Sequence, residues 1–147
     1  MEEILIIAIG NVARGDDGVA HEVAAGLLGI EPALPDGVRV LTAVGLDIAM
    51  AQDVAGCSRL LVVDAQRRDA PLVDVQPIIA GVAAHSGHAI DAPALLAVTL
   101  ALYGVSPTAA LVSVAAPEMG HGEGLSATAL KAATEAVAVI RSVVAGG

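Results

Sequence analysis

Two hydrophobic patterns alternate along this chain. Ile4 to Ile9 and Leu60 to Val63 are runs in which every residue is apolar, so they have no face to give to water and predict strands buried on both sides. Between them, Val19, Ala20, Val23, Ala24, Leu27 and Leu28 recur at the spacing of one helix face, which predicts a helix over Asp17 to Leu28 stopped by Gly29. Pro32, Pro35 and Asp36-Gly37 mark a turn before a short strand, Val38 to Leu41, and a helical segment follows over Leu46 to Val54. The strand Leu60 to Asp64 then ends in a carboxylate. Val73 to Ile79 sets Asp74 and Gln76 against Val73, Val75 and Pro77, the pattern of an edge strand. Asp91 is a natural N-cap and Pro93 fits a first turn, so Ala92 to Tyr103 reads as a helix closed by Gly104. Ala109 to Ala115 is the last strand and Ser126 to Val144 the last helix. Strands alternating with helices predict an α/β fold: a three-layer α/β/α sandwich on a mostly parallel sheet of about five strands.

Composition narrows the function more than the fold. The 147 residues suit one domain over 1–147. Seven Lys and Arg against sixteen Asp and Glu leave a net charge of −9, which opposes a nucleic-acid partner. Tyr103 is the sole aromatic residue, so platforms for stacking bases or sugars are missing. Although 56% of residues are apolar, no window approaches the roughly eighteen uninterrupted apolar residues of a membrane span. Cys57 has no partner for an internal disulfide, and Met1-Glu2-Glu3 lacks the positive flank of a signal peptide, so a cytoplasmic protein is expected. Cys57 itself, with no histidine nearby in sequence, reads as a small half-buried thiol rather than a nucleophile.

In sheets of this kind ligands sit beyond the carboxyl ends of the strands. The first strand delivers Gly10-Asn11-Val12-Ala13-Arg14-Gly15-Asp16-Asp17-Gly18 to that edge. Its glycine spacing imitates a phosphate loop, but two aspartates stand where Lys and Ser or Thr are needed, and carboxylates at a helix start exclude a phosphate. For Asp16 and Asp17 helix capping is the plain alternative to chemistry. Asp64 arrives at the same edge from the third strand, and His85-Ser86-Gly87-His88 lies in the loop before the helix at Ala92. Two carboxylates and an imidazole from three loops suit a divalent ion such as zinc or nickel and leave coordination positions open. His21, beside Glu22 on the first helix, reads as part of a solvated face. Glu118 and His121, on the glycine-rich stretch after the last strand, are candidates for substrate contact.

Taken together, Ile9-Gly10-Asn11, Gly15-Asp16-Asp17-Gly18, Leu61-Val62-Val63-Asp64-Ala65 and Ser86-Gly87-His88 ahead of Ala94-Leu95-Leu96 resemble the nickel-iron hydrogenase maturation endopeptidases. Pro117-Glu118 and Gly124-Leu125-Ser126 are similar to that family's approach to its last helix, so the likeness covers nearly the whole chain. The chain departs from it at Thr42-Ala43-Val44-Gly45, where relatives carry a glycine-rich Asp-Gly-Gly-Thr turn. The resemblance implies a phosphorylase/hydrolase-like sandwich and a peptidase. It would remove the C-terminal peptide of a hydrogenase large-subunit precursor once nickel is inserted. It implies Asp17, Asp64 and His88 as the metal-contacting and catalytic set, with His85 as the spare. The nickel would come with the substrate, zinc or cadmium could stand in for it, and a monomer would pair transiently with the precursor. Two other readings stay open: a non-catalytic protein that binds a divalent ion or small ligand on the same scaffold, and a peptidyl-tRNA hydrolase, whose first strand also ends in Gly-Asn. The acidic pair and the net charge of −9 speak against the tRNA substrate.

Overall fold

The computed structural model describes residues 2–29, 31–81, 85–86, 89–120 and 122–146. Strand β1 (Ile4–Ile9) leads through a 3₁₀ turn at Asp16–Gly18 into helix α1 (Val19–Leu28), and β2 (Val38–Ala43) into a second 3₁₀ turn at Ile48–Met50 and the short α2 (Ala51–Ala55). Then come β3 (Arg59–Gln66), β4 (Val73–Ile78), the two-residue strands β5 (His85–Ser86) and β6 (Ala89–Ile90), α3 (Ala92–Tyr103), β7 (Thr108–Ala115) and α4 (Ala127–Ala145). Five strands form one sheet in the order β2-β1-β3-β7-β4, parallel except for β4, which pairs antiparallel with β7 at the edge. This is the expected α/β/α sandwich.

The central strands are apolar along their middles, as in Ile4–Ile9 and Leu60–Val63, because both faces of the sheet are covered there. Ile4, Ile6 and Ala8 of β1 join Leu61, Val63, Val112 and Val114 against α1 and α4, while Leu5 and Ile7 join Leu60 and Val62 against α2 and α3. Gly26 lets α1 and α4 approach: a Cβ there would lie 2.8 Å from Val137 Cγ2.

The larger differences from the sequence reading each have a local reason, beginning with β2, which runs to Ala43 rather than Leu41 because Thr42 and Ala43 still pair with Ala8 and Ile9. The first helix begins as a 3₁₀ turn and becomes α-helical only at Val19. The helical segment at Leu46 to Val54 is a 3₁₀ turn started by Asp47, which accepts from Ala49 N, and five residues of α-helix, while Leu46 stays outside it. β3 continues two residues past Asp64, because Ala65 and Gln66 still pair with Val114 and Ala115. The loop before α3 contains the paired strands β5 and β6. By contrast α3 has the expected ends: Asp91 accepts from Ala94 N at 3.0 Å, and Gly104 closes it in the left-handed conformation.

The parallel register sets Ile9 level with Ala43 on one side and Asp64 on the other, so three strands deliver their next residues to one edge. Replacing Ile6, fully buried between these strands, by Ala should lower the unfolding free energy by about 2–5 kcal/mol. Val44→Ala, at a side chain 74% exposed, should change it by less than about 0.5 kcal/mol; urea unfolding of both variants checks the contrast.

Candidate functional site

The segment leaving β1 is shaped by two close backbone approaches. At Gly10, whose φ is 156°, a Cβ would run into the Asp17 carbonyl oxygen; at Gly15, whose φ is 57°, it would lie 2.7 Å from the Glu118 carbonyl oxygen. Only glycine fits either place. Asn11 then turns the chain by accepting from Ala13 N at 3.0 Å through Oδ1.

The adjacent aspartates have separate tasks. Asp16 is completely buried and caps no helix of its own. Its Oδ2 accepts from Glu118 N at 2.8 Å and Ser126 Oγ at 2.7 Å, and its Oδ1 from Ser126 N at 2.7 Å. Ser126 Oγ in turn accepts from Ala129 N at 3.1 Å and caps α4. Backbone bonds add to the clasp: Gly15 N donates to Gly122 O at 2.8 Å, Asp16 N to Glu118 O at 3.1 Å, and Gly122 N to Ala13 O at 3.0 Å. The glycine-rich stretch after β7 is thereby fastened to the stretch after β1.

Asp17 is the half-buried one. Its Oδ2 accepts from Asn11 N at 3.1 Å, and among the described residues no donor reaches its Oδ1. Asp64 lies on the face of β3 that carries Leu60 and Val62, since side chains alternate along a strand. Burial pushes its carboxyl up to about 6; a hydrogen bond from the Ala65 backbone pulls it back, and the Asp17 charge adds to the rise. The structure therefore brings Asp17 and Asp64 within reach of each other's charge.

His88 and His121 lie outside the described residues. The backbone that leads to His88 is located on both sides: His85 pairs with Ile90 and Ser86 with Ala89, Ile90 is buried against α2 and α3, and its N–H donates to Leu46 O at 3.4 Å. Ile90 thus packs on the face of the sheet that carries Leu60, Val62 and Asp64. Glu118 is exposed and contributes its backbone, not its carboxylate, to the contacts described. Among the described residues no group of three or more His, Cys, Asp and Glu side chains is arranged to hold a metal ion.

Two further sequence readings are resolved. Cys57 donates its thiol to Val54 O at 3.2 Å, and burial pushes the thiol up, which favours an inert group. His21 is not part of a solvated face. It is half-buried, with Nε2 2.8 Å from Gly10 O and 3.1 Å from Ala43 O. Its position four residues after Asp17 was the available signal, since that spacing puts both on one side of a helical turn. Beside it a cleft of about 370 Å³ opens between Val12, Glu22, Glu123, Leu125 and Leu130.

No protein-family model matches the chain, and no curated protein matches it by sequence. Solved structures do match. Hydrogenase maturating endopeptidase HybD from E. coli superposes with a TM-score of 0.74 at 21% identity, over 94% of this chain and 89% of that one. The NiFe hydrogenase maturation protease HycI from Thermococcus kodakarensis gives 0.74 at 18% identity, over 97% and 92%. A hydrogenase 2 maturation peptidase from a Thaumarchaeota archaeon gives 0.71 at 19% identity, over 98% and 99%. Over nearly its whole length the chain has the fold of the hydrogenase maturation proteases.

Asp16 and Asp64 make opposite predictions. Asp16→Asn turns an acceptor of three donors into a group with its own N–H₂ facing them, and should cost about 3 kcal/mol of stability in urea unfolding. Asp64 binds its proton more tightly folded than unfolded. Its contribution is present below about pH 4 and is lost as pH rises through about 6, leaving a penalty of about 3 kcal/mol on the ionised form. Asp64→Asn should accordingly be more stable than the wild type at pH 8 and no more stable at pH 4; an equal difference at both would contradict the assignment.

Proposed function

We propose that this chain is an endopeptidase that removes the C-terminal peptide of a nickel-loaded NiFe hydrogenase large-subunit precursor. One observation carries the reading: the carboxylates of Asp17, in the turn after β1, and Asp64, on β3, come to the carboxyl edge of the sheet close enough for the Asp17 charge to add to the rise that burial gives Asp64. Such a pair is unfavourable unless a cation comes to it. The shared fold supports the same activity, because HybD and HycI are themselves named as maturation endopeptidase and protease. His88, which lies between β5 and β6 in the sequence, is the imidazole of the set.

The nickel is part of the substrate. Only a loaded precursor presents the charge that two carboxylates and an imidazole recognise, so cation docking also checks that insertion is complete. With nickel polarising the scissile carbonyl, Asp17 or Asp64 takes a proton from water. The hydroxyl adds to the carbonyl carbon, the C–N bond breaks, and the proton passes to the departing amine. A carboxyl pushed up to about 6 is a better base than an ordinary aspartate and is still ionised at neutral pH. Zinc or cadmium would occupy the same donors. The chain acts as a monomer in the cytoplasm and pairs with the precursor for one cleavage.

Asp17→Ala, Asp64→Ala and His88→Ala should each lower processing of the loaded precursor by at least about a hundredfold, with far-ultraviolet circular dichroism unchanged. Normal processing by the His88 variant would overturn the assignment. A wild-type chain that binds the loaded precursor without cutting it would favour a non-catalytic cation-binding protein instead.

A further inference from the structure

The ring of His21 touches neither carboxylate of the pair, yet it occupies the junction on which their placement depends. Its Nε2 lies between two carbonyl oxygens, Gly10 O at 2.8 Å and Ala43 O at 3.1 Å. Both are acceptors, so that nitrogen carries a proton, in the neutral Nε2–H tautomer or in the imidazolium. Ala43 O also accepts from Gly10 N at 3.0 Å. The β1–β2 ladder, whose last register pair is Ile9 with Ala43, is thus extended by one rung made from a side chain of α1.

That rung joins two loops. On one side, His21 sits one helical turn after Asp17, whose carbonyl packs against Gly10 so closely that no Cβ fits between them. On the other, the chain after Ala43 runs to Leu46, whose carbonyl holds Ile90 N and with it the segment leading to His88. We propose that His21 is a positioning residue that fixes the Asp17 turn against the loop after β2. This inference rests on the proposed site, which sets what has to be positioned. Loops joined only by their covalent ends would wander beyond the roughly 0.5 Å that a reactive constellation tolerates.

The reach of the donor separates this role from simple space filling. A glutamine at position 21 places an N–H₂ where the imidazole has Nε2, whereas an asparagine stops at the level of Nδ1. His21→Asn should lower kcat/KM for the nickel-loaded precursor by about tenfold or more, and His21→Gln should recover it to within about threefold of the wild type. Thermal unfolding is followed in parallel. Equal activities of the two variants overturn the proposal, as does a loss in His21→Asn that simply tracks a lower melting temperature. Nitrogen-resolved NMR of the ring at pH 8 should show Nε2–H; an Nδ1–H tautomer also overturns it. Should the wild-type chain leave the precursor uncut, the proposed function falls by itself. The tautomer, together with amide exchange at Asn11 that quickens in His21→Asn but not in His21→Gln, then decides the role of His21 on its own.

Discussion

A carboxylate sealed from water, Asp16, is the constraint from which the rim of this protein is built. An ionised group in that position is tolerable only when every lone pair facing the protein is engaged, and three donors from the stretch between Glu118 and Ser126 do this. The bonds join segments more than a hundred residues apart, close the glycine-rich stretch over the start of α1, and hand the cap of α4 to Ser126. With Asp16 turned inward, the next residue is free to face the edge. Two adjacent aspartates thus divide into one that holds the edge together and one that it displays.

The display is electrostatically unfavourable by itself. Asp64 follows Leu60 and Val62, which are packed into the core on the same face of β3, so its carboxyl is poorly solvated, and Asp17 brings a second negative charge to it. Folding holds the two together because their backbones are fixed by other means: the parallel register for Asp64, and Gly10 and the Asn11 amide for Asp17. Stability is surrendered locally and made up by the apolar layers on either side of the sheet, a common arrangement where a site has to be ready before its ligand arrives.

The positions of Asp17 and Asp64 at the sheet edge could be read along the chain, and the features of the candidate site that escaped did so for one reason. Asp64 stood out because a carboxylate directly after four apolar residues has no solvent-facing strand to belong to. The Asp16–Asp17 pair stood out by its place after Gly10-Asn11, but nothing local says which of the two turns inward, because the donors to Asp16 come from Glu118 and Ser126. His21 beside Glu22 resembled any histidine of an exposed face; its partners are carbonyl oxygens at the ends of two strands, Gly10 and Ala43, which a linear pattern does not bring together. Likewise the extra pairing at Ala65 and Gln66 is imposed by Val114 and Ala115 of β7.

The sequence by itself determined the layers. Apolar runs without a polar face, helical repeats between them, and punctuation by Asp91, Gly29 and Gly104 are local consequences of side-chain periodicity and backbone preference, and they suffice for a parallel sheet covered on both sides. Only the tertiary structure decided which carboxylate is structural, how Asp17 and Asp64 feel each other, and where His21 points. Those are properties of through-space distance and desolvation between segments remote in sequence, and they come into existence only when β1, β2, β3 and the stretch after β7 reach the same edge.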